Sequence, residues 1–415
     1  LFQGLALGLG LLWLVFVTRM VAPEGAGTIF VAFTVANSAV ALSAFGLPQS
    51  FAVRYPTMGP ARLVSNGLAV SFVMALLSSI AVAVALRFFW GSAELWYRGA
   101  PLVPGLVFVF YLGVMLSSVL RSMLAIRAAN MVSAAPMAVF NLALSIAYIS
   151  VPGLAVGEVL ALMFAAYLAT AVVALAVLLR MVKLDLSQIR SADMRALMSF
   201  GGTVHVGHAF KEVMYRADLL VVQALLGPSA SAQYGLVRRI IDAVARFVDA
   251  LCLNIVPYIV SGDERSNERI IHHMMDLVLV SFVPLALLTS LIATDLTVGV
   301  FGVEYETAGM LLQAAVWAIV PLGLWKVLAN NAIAHTRLRR YIFSAAVGAA
   351  LIVSGNLLLI AQFGLALTVG ILIAAYTLAM AVLWACSIGE LKYVPMRALS
   401  VSLSKLMTNG SESRE

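Results

Sequence analysis

Residues 198–260 read MSFGGTVHVGHAFKEVMYRADLLVVQALLGPSASAQYGLVRRIIDAVARFVDALCLNIVPYIV. The stretch is apolar enough for two membrane-spanning helices joined at Gly227–Pro228, yet it holds the densest set of charges in any apolar part of the chain. The first helix carries His205, His208, Lys211, Glu212, Arg216, Asp218 and Gln223; the second carries Arg238, Arg239, Asp242, Arg246 and Asp249. At about 100° per residue, His205, His208, Glu212, Arg216 and Gln223 fall within roughly 60° of one another, and the five charges of the second helix within about 100°. The charges form two stripes. An ionised side chain facing lipid at mid-bilayer costs roughly 2.5–3.5 kcal/mol, so the stripes should face each other or a water-filled cavity. One reading is a pair of packed helices held by salt bridges such as Arg239–Asp242 and Arg246–Asp249. The other is a cationic lining for an anionic cargo, and the excess of Lys211, Arg216, Arg238, Arg239 and Arg246 over Glu212, Asp218, Asp242 and Asp249 favours it.

Composition sets the class. Of 415 residues, 63% are hydrophobic and 11% charged, where soluble domains hold about 25% charged residues. The apolar runs last about 20 residues without period-two alternation, which indicates transmembrane helices rather than a barrel. The expectation is an all-α, polytopic membrane protein with no room for a soluble catalytic domain. Nucleophile elbows, P-loops and clustered cysteine ligands are absent, so no catalytic residue, no cofactor and no enzyme activity is expected. No metal site is expected either: His205 and His208, at i and i+3, lack a third strong ligand nearby, and His272 and His273 sit in a loop. Cys252 and Cys386, inside apolar segments, read as small core residues, not as a disulfide. The sequence opens inside an apolar helix without Met, which predicts residues before Leu1, and no cleavable signal peptide is evident.

Twelve spans are expected, at roughly 3–21, 26–46, 64–89, 102–120, 132–151, 155–179, 199–226, 231–258, 275–294, 308–330, 341–361 and 365–388. The longest polar connections are 47–63, 180–198, 259–274 and the tail. Loops on one side hold 17 of the 26 Lys and Arg residues, which by the positive-inside rule places that side, and both termini, in the cytoplasm. The net charge of +7 is mostly this topology signal and calls for no nucleic-acid partner.

An internal repeat organises these spans. The turn after the first span, residues 22–27 (APEGAG), resembles residues 227–232 (GPSASA) after the seventh, with prolines 205 positions apart. Leu124–Ala125 before a basic turn returns as Ile333–Ala334 before residues 336–340 (TRLRR). With six spans in each half the repeats are parallel. This predicts two six-helix lobes, 1–190 and 191–390, about a pseudo-twofold axis along the membrane normal. The cytoplasmic linker lies near 180–198 and a cytoplasmic tail covers 391–415.

Several short motifs resemble a known family. Residues 18–27 (TRMVAPEGAG) resemble the opening of the polysaccharide-exporting branch of the MOP transporters, and residues 45–50 (FGLPQS) followed by Val53-Arg54-Tyr55 resemble the end of its second helix. Residues 215–222 (YRADLLVV), Leu226-Gly227 and Gln233-Tyr234-Gly235 resemble its seventh helix and turn. Pro257 closes the eighth helix in the same pattern, and residues 301–305 (FGVEY) with Ala308 and Leu311-Leu312 resemble the start of the tenth. Twelve spans suit the Wzx-type O-antigen flippases; lipid II flippases typically have two more, and multidrug exporters of the superfamily also have twelve. The resemblance implies a MOP-type fold in the bacterial inner membrane. It also implies alternating-access transfer of an undecaprenyl-diphosphate-linked oligosaccharide for O-antigen, lipopolysaccharide or other polysaccharide biosynthesis. Membrane lipids, a polysaccharide polymerase and a chain-length regulator are the implied partners. A cation-coupled multidrug exporter and a non-transporting scaffold for polysaccharide assembly stay open as alternatives.

A diphosphate cannot cross about 30 Å of hydrocarbon unaided, and arginine's planar fork suits phosphate. Arg216, Arg239 and Arg246 are therefore the first candidates for binding it, with Arg238 at the edge of its stripe. Arg19 and Arg54 are candidates at the lumen rim, with interfacial anchoring as their other reading. Lys326, isolated in an apolar helix, is a candidate cavity residue. His205, His208, Glu212 and Asp242 are candidates for H+ or Na+ coupling. Lys211 and Asp218 are expected to make a packing pair. Asn141, Ser145 and Tyr148 form a polar stripe expected to bond helix to helix.

Overall fold

The computed structural model describes residues 2–89, 101–151, 153–261, 264–335 and 337–387; the expected tail at 391–415 lies outside them. The described residues are helical almost throughout, with no strand among them. In chain order the α-helices are α1 (Phe2–Met20), α2 (Pro23–Ser43), α3 (Leu47–Met58), α4 (Pro60–Phe89), α5 (Leu102–Ser122), α6 (Ile126–Ser150), α7 (Val156–Met181), α8 (Ser191–Ser261), α9 (Glu264–Phe301), α10 (Glu306–Ala315), α11 (Ile319–Ala334) and α12 (Leu338–Ala385). Two of these are pairs joined at a kink. Gly227 in α8 (φ 81°, ψ −174°) and Gly364 in α12 (φ 70°, ψ −165°) take a backbone conformation that only glycine adopts readily. Each therefore divides its helix into two arms. Conversely α10 and α11 form one span: Pro321 has no N–H to give Trp317 and its ring crowds that carbonyl, and a 3₁₀ turn, Val316–Ala318, sits at that point. Counted this way, and leaving out the short α3, the helices among the described residues match the twelve expected spans.

Eight helical segments are long and apolar enough to cross a membrane, while α8 is too polar to count among them. The solvent of such a protein is lipid, and the surface reflects it. Phe72, Leu76 and Ile80 on α4, Leu142, Ile146 and Ile149 on α6, and Leu287, Leu288 and Leu291 on α9 are exposed at helical spacing. The charged helix is inside instead. α8 packs against both α2 and α12, and between 231 and 239 every residue is buried. The contact with α2 is close: a Cβ on Gly27 would lie 1.9 Å from the Pro228 carbonyl oxygen.

The structure differs from the periodicity reading at the polar connections. Residues 47–58 form α3, and α8 begins at Ser191 rather than near 199, because hydropathy locates membrane rather than helix ends. The linker ahead of α8 is fastened to α4. Arg62 makes a bidentate pair with Asp193, both bonds 2.6 Å; Asn66 donates to the Gln188 carbonyl and accepts from the Arg190 N–H, each at 2.8 Å. Asp185, outside the spans, accepts from the Ser187 hydroxyl, the Gln188 amide and the Ser187 N–H, which hold its carboxyl below the usual range. Turns recur too: Gly153 between α6 and α7 (φ 79°) and Gly364 within α12 (φ 70°) both have positive φ. The Ala125 N–H to Leu120 bond likewise recurs as Arg337 to Ala332.

Candidate functional site

A cavity of about 280 Å³ opens between helices of the first half and of the second. α1 contributes Gly10 and Trp13, α2 Phe33 and Asn37, α6 Ser133 and Met137, and α7 Tyr167. Across from them stand Tyr215, Arg216, Arg239, Asp242, Arg246 and Asp249 of α8, and Leu322 and Lys326 of α11. Arg216 of the first stripe and Arg239, Asp242, Arg246 and Asp249 of the second therefore turn inward, where their desolvation is offset by one another, by aromatic faces and by the cavity.

The Arg239–Asp242 and Arg246–Asp249 pairs do not form. Arg216 bonds Glu212 (Nε to Oε1, 2.9 Å) and reaches Asp242 (Nη1 to Oδ2, 3.4 Å). Glu212, itself buried, also faces Ser38 of α2 at 3.3 Å. Asp242 serves Arg216 and Arg238 rather than Arg239, and Asp249 pairs with Lys326 at 2.6 Å rather than with Arg246. The reason is rotational: partners on the facing arm, one turn back and on α11 come closer than residues three apart on one arm. Among the described residues, neither Arg239 nor Arg246 has a carboxylate within 4.0 Å. Arg239, 5% exposed, is held by neutral groups of α2. Its Nη2 donates to the Phe30 carbonyl (3.0 Å) and to the Thr34 hydroxyl (2.8 Å). Its guanidinium lies 4.4 Å from the Phe33 ring centroid and 5.8 Å from that of Trp13. Arg246 is exposed within the cavity and runs along Gly10, whose Cβ would fall 3.4 Å from Arg246 Nη1.

The other sequence candidates lie elsewhere. Arg238 is buried behind the cavity wall, bonded to Asp218 (3.1 Å), to Asp242 and to the Tyr215 carbonyl. Asp218, fully buried, also accepts from the Tyr234 hydroxyl (2.6 Å) and the Leu219 N–H (2.8 Å). Its ion-pair partner is thus Arg238 and not Lys211, because Arg238 approaches on the facing arm. Arg19 lies outside the cavity and ties α1 to the end of α9 through the Val300 and Gly299 carbonyls (3.0 and 2.7 Å). Arg54, on α3, does not line it. His205 stacks on Phe45 (centroids 4.5 Å apart), and His208 stands 3.5 Å from the Gln49 amide, both at the α2–α3 corner. Asn141 donates to the Leu9 carbonyl, the helix-to-helix bond expected of it. Trp13, Phe33, Asn37, Ser133 and Tyr167 carry no sequence signal as cavity residues, since each reads as an ordinary member of an apolar helix.

No protein-family model and no curated protein matches this chain. Solved structures do match. An inward-facing multidrug resistance MATE family transporter of the MOP superfamily aligns with a TM-score of 0.71 at 12% identity over 93% of each chain. Its outward-facing counterpart gives 0.67 at 12% over 92% of each. The lipid II flippase MurJ, in an inward closed conformation, gives 0.69 at 10% over 97% of this chain and 89% of that one. The chain has the fold of these MOP-superfamily proteins.

Proposed function

We propose that this protein is a flippase. Its cargo is a polyprenyl-diphosphate-linked oligosaccharide, and it works in the bacterial inner membrane with the loops rich in Arg and Lys, and both termini, in the cytoplasm. One observation carries the reading: Arg239 and Arg246 line an interior cavity, and among the described residues no carboxylate lies within 4.0 Å of either. A buried cation without a counter-ion is costly, and an anionic ligand supplies the missing partner. Arg239 is already oriented by α2 through Nη2, which leaves the rest of its fork for a phosphate. Arg216 and Lys326 add charge but are shared with Glu212, Asp242 and Asp249. The lipid tail stays in the bilayer while the head group enters between the two halves, and alternating access moves it across. Arg19 joins α1 of the first half to the end of α9 in the second, a contact that alternating access would alter. Glu212 and Asp242, which touch Arg216, are the carboxylates through which H+ or Na+ coupling would act on the site.

The fold also suits a multidrug exporter, and the likeness to MATE family transporters favours that second reading. Charge separates the two. Purified protein in detergent is titrated with farnesyl diphosphate and, separately, with a lipophilic cation such as ethidium. Saturable binding of the diphosphate, weakened by salt, supports the flippase. Binding of the cation alone supports drug export and removes our reading.

A further inference from the structure

A second cavity, about 180 Å³, adjoins the cationic one and shares Asn37, Ser133 and Tyr167 with it. It lies wholly within the first half of the chain, among α2, α5, α6 and α7. No Lys, Arg, His, Asp or Glu lines it. Its hydrogen-bonding character is mainly accepting. Ser117, Ser133 and Thr170 each give their single hydroxyl proton to a carbonyl of their own helix, at Val114 (3.0 Å), Ala129 (2.9 Å) and Ala166 (2.9 Å). The Asn37 amide donates to the Phe33 carbonyl at 2.8 Å. The three hydroxyls retain only acceptor capacity, and Asn37 retains its carbonyl oxygen and one amide N–H. Beside them Phe110 and Tyr167 stack, with centroids 3.9 Å apart.

We infer that this annex binds the sugar nearest the diphosphate, so that the cargo is gripped at two adjoining places by opposite chemistries. The inference rests on the flippase reading above. An anion entering the annex meets no cation and a cation meets no carboxylate, so either pays its desolvation unrelieved. A hydrocarbon tail would strip water from four acceptors and give nothing in return. A sugar supplies the complement: hydroxyl and N-acetyl N–H donors for the oxygens, and an apolar ring face for the aromatic pair. Adjacency fits as well, because the first sugar is bonded directly to the phosphate that Arg239 and Arg246 would hold.

Gly113 makes a clean test. It lines the annex, and a Cβ there meets no atom within 4 Å, so a large side chain fills the space without moving the helix. Binding of farnesyl diphosphate and of farnesyl-diphospho-N-acetylglucosamine is measured for the whole chain, for Gly113→Phe, and for Ser117→Ala/Thr170→Val, which removes acceptors without filling space. The wild type should prefer the glycosylated ligand by roughly tenfold or more, as two or three added hydrogen bonds imply. Both variants should lose that preference and bind the bare diphosphate as before. A wild type that binds both ligands equally overturns the annex and leaves the anion site standing. A wild type that binds neither removes the flippase reading and the annex with it. Should Gly113→Phe weaken both ligands together, the acceptor variant decides: a preference retained there overturns the proposal.

Discussion

Replacing Arg246 by alanine isolates ligand binding from folding. The side chain is exposed in the cavity, has no carboxylate within 4.0 Å among the described residues, and lines the site from the edge nearest Gly10. Its removal should therefore leave stability within about 0.5 kcal/mol of wild type, as for substitutions that break no buried pair. Binding is another matter. A hydrogen bond to a charged group contributes about 1.5–3 kcal/mol, and about 1.4 kcal/mol is a factor of ten. The Kd for farnesyl diphosphate should thus rise roughly 10- to 150-fold. Calorimetric titration in detergent at two salt concentrations reads both the loss and a shallower salt dependence. Gly10→Leu, which crowds the Arg246 guanidinium from α1, should weaken binding in the same direction. An unchanged Kd in Arg246→Ala, with the protein folded, would refute the assignment of this cavity to an anion.

Three further outcomes follow. Asp218→Ala strips the fully buried Arg238 of its nearest counter-ion at 3.1 Å and should cost about 3–5 kcal/mol. That is read as a lower unfolding temperature in detergent, and a change too small to detect would show that Asp242 alone suffices for Arg238. Gly27→Leu forces α2 and α8 apart, because any Cβ there falls 1.9 Å from the Pro228 carbonyl oxygen. The monodisperse fraction on size exclusion should fall sharply, and a normal profile would contradict the packing. Arg19→Ala removes two bonds between α1 and the end of α9. Spin labels on those helices should show a population shifted to longer distances, whereas an unaltered distribution would mean the bonds do not hold the two helices together.

The break at Gly227–Pro228 and the inward turn of the α8 charges were legible in the sequence, because both follow from rules that act locally: glycine's freedom and the cost of charge in lipid. The resemblance to MOP transporters pointed to the fold that the solved structures share. Partner choice was not legible. Spacing of three within one helix suggested Arg239–Asp242 and Arg246–Asp249, whereas Arg216 from the facing arm, Arg238 one turn back on the same arm and Lys326 from α11 claim those carboxylates. Helix rotation about its own axis decides this, and a linear pattern does not contain it. Arg19 and Arg54 carry charge at plausible places, yet the interface of α1 with α9 takes Arg19 and α3 takes Arg54. The annex was wholly hidden, since serine, threonine and phenylalanine in apolar helices look alike whether they meet a cavity or a neighbour.

On the reading proposed above, a cavity in which Arg239 and Arg246 have no carboxylate within 4.0 Å carries an anionic, lipid-linked sugar between leaflets. Protein reconstituted in vesicles with a fluorescent short-chain polyprenyl-diphospho-sugar, followed by membrane-impermeant quenching of the outer leaflet, measures that directly. The expected result is protein-dependent exchange between leaflets that is lost in the Arg239→Gln/Arg246→Gln double variant. Exchange equal to that of protein-free vesicles, or undiminished in the double variant, would contradict it.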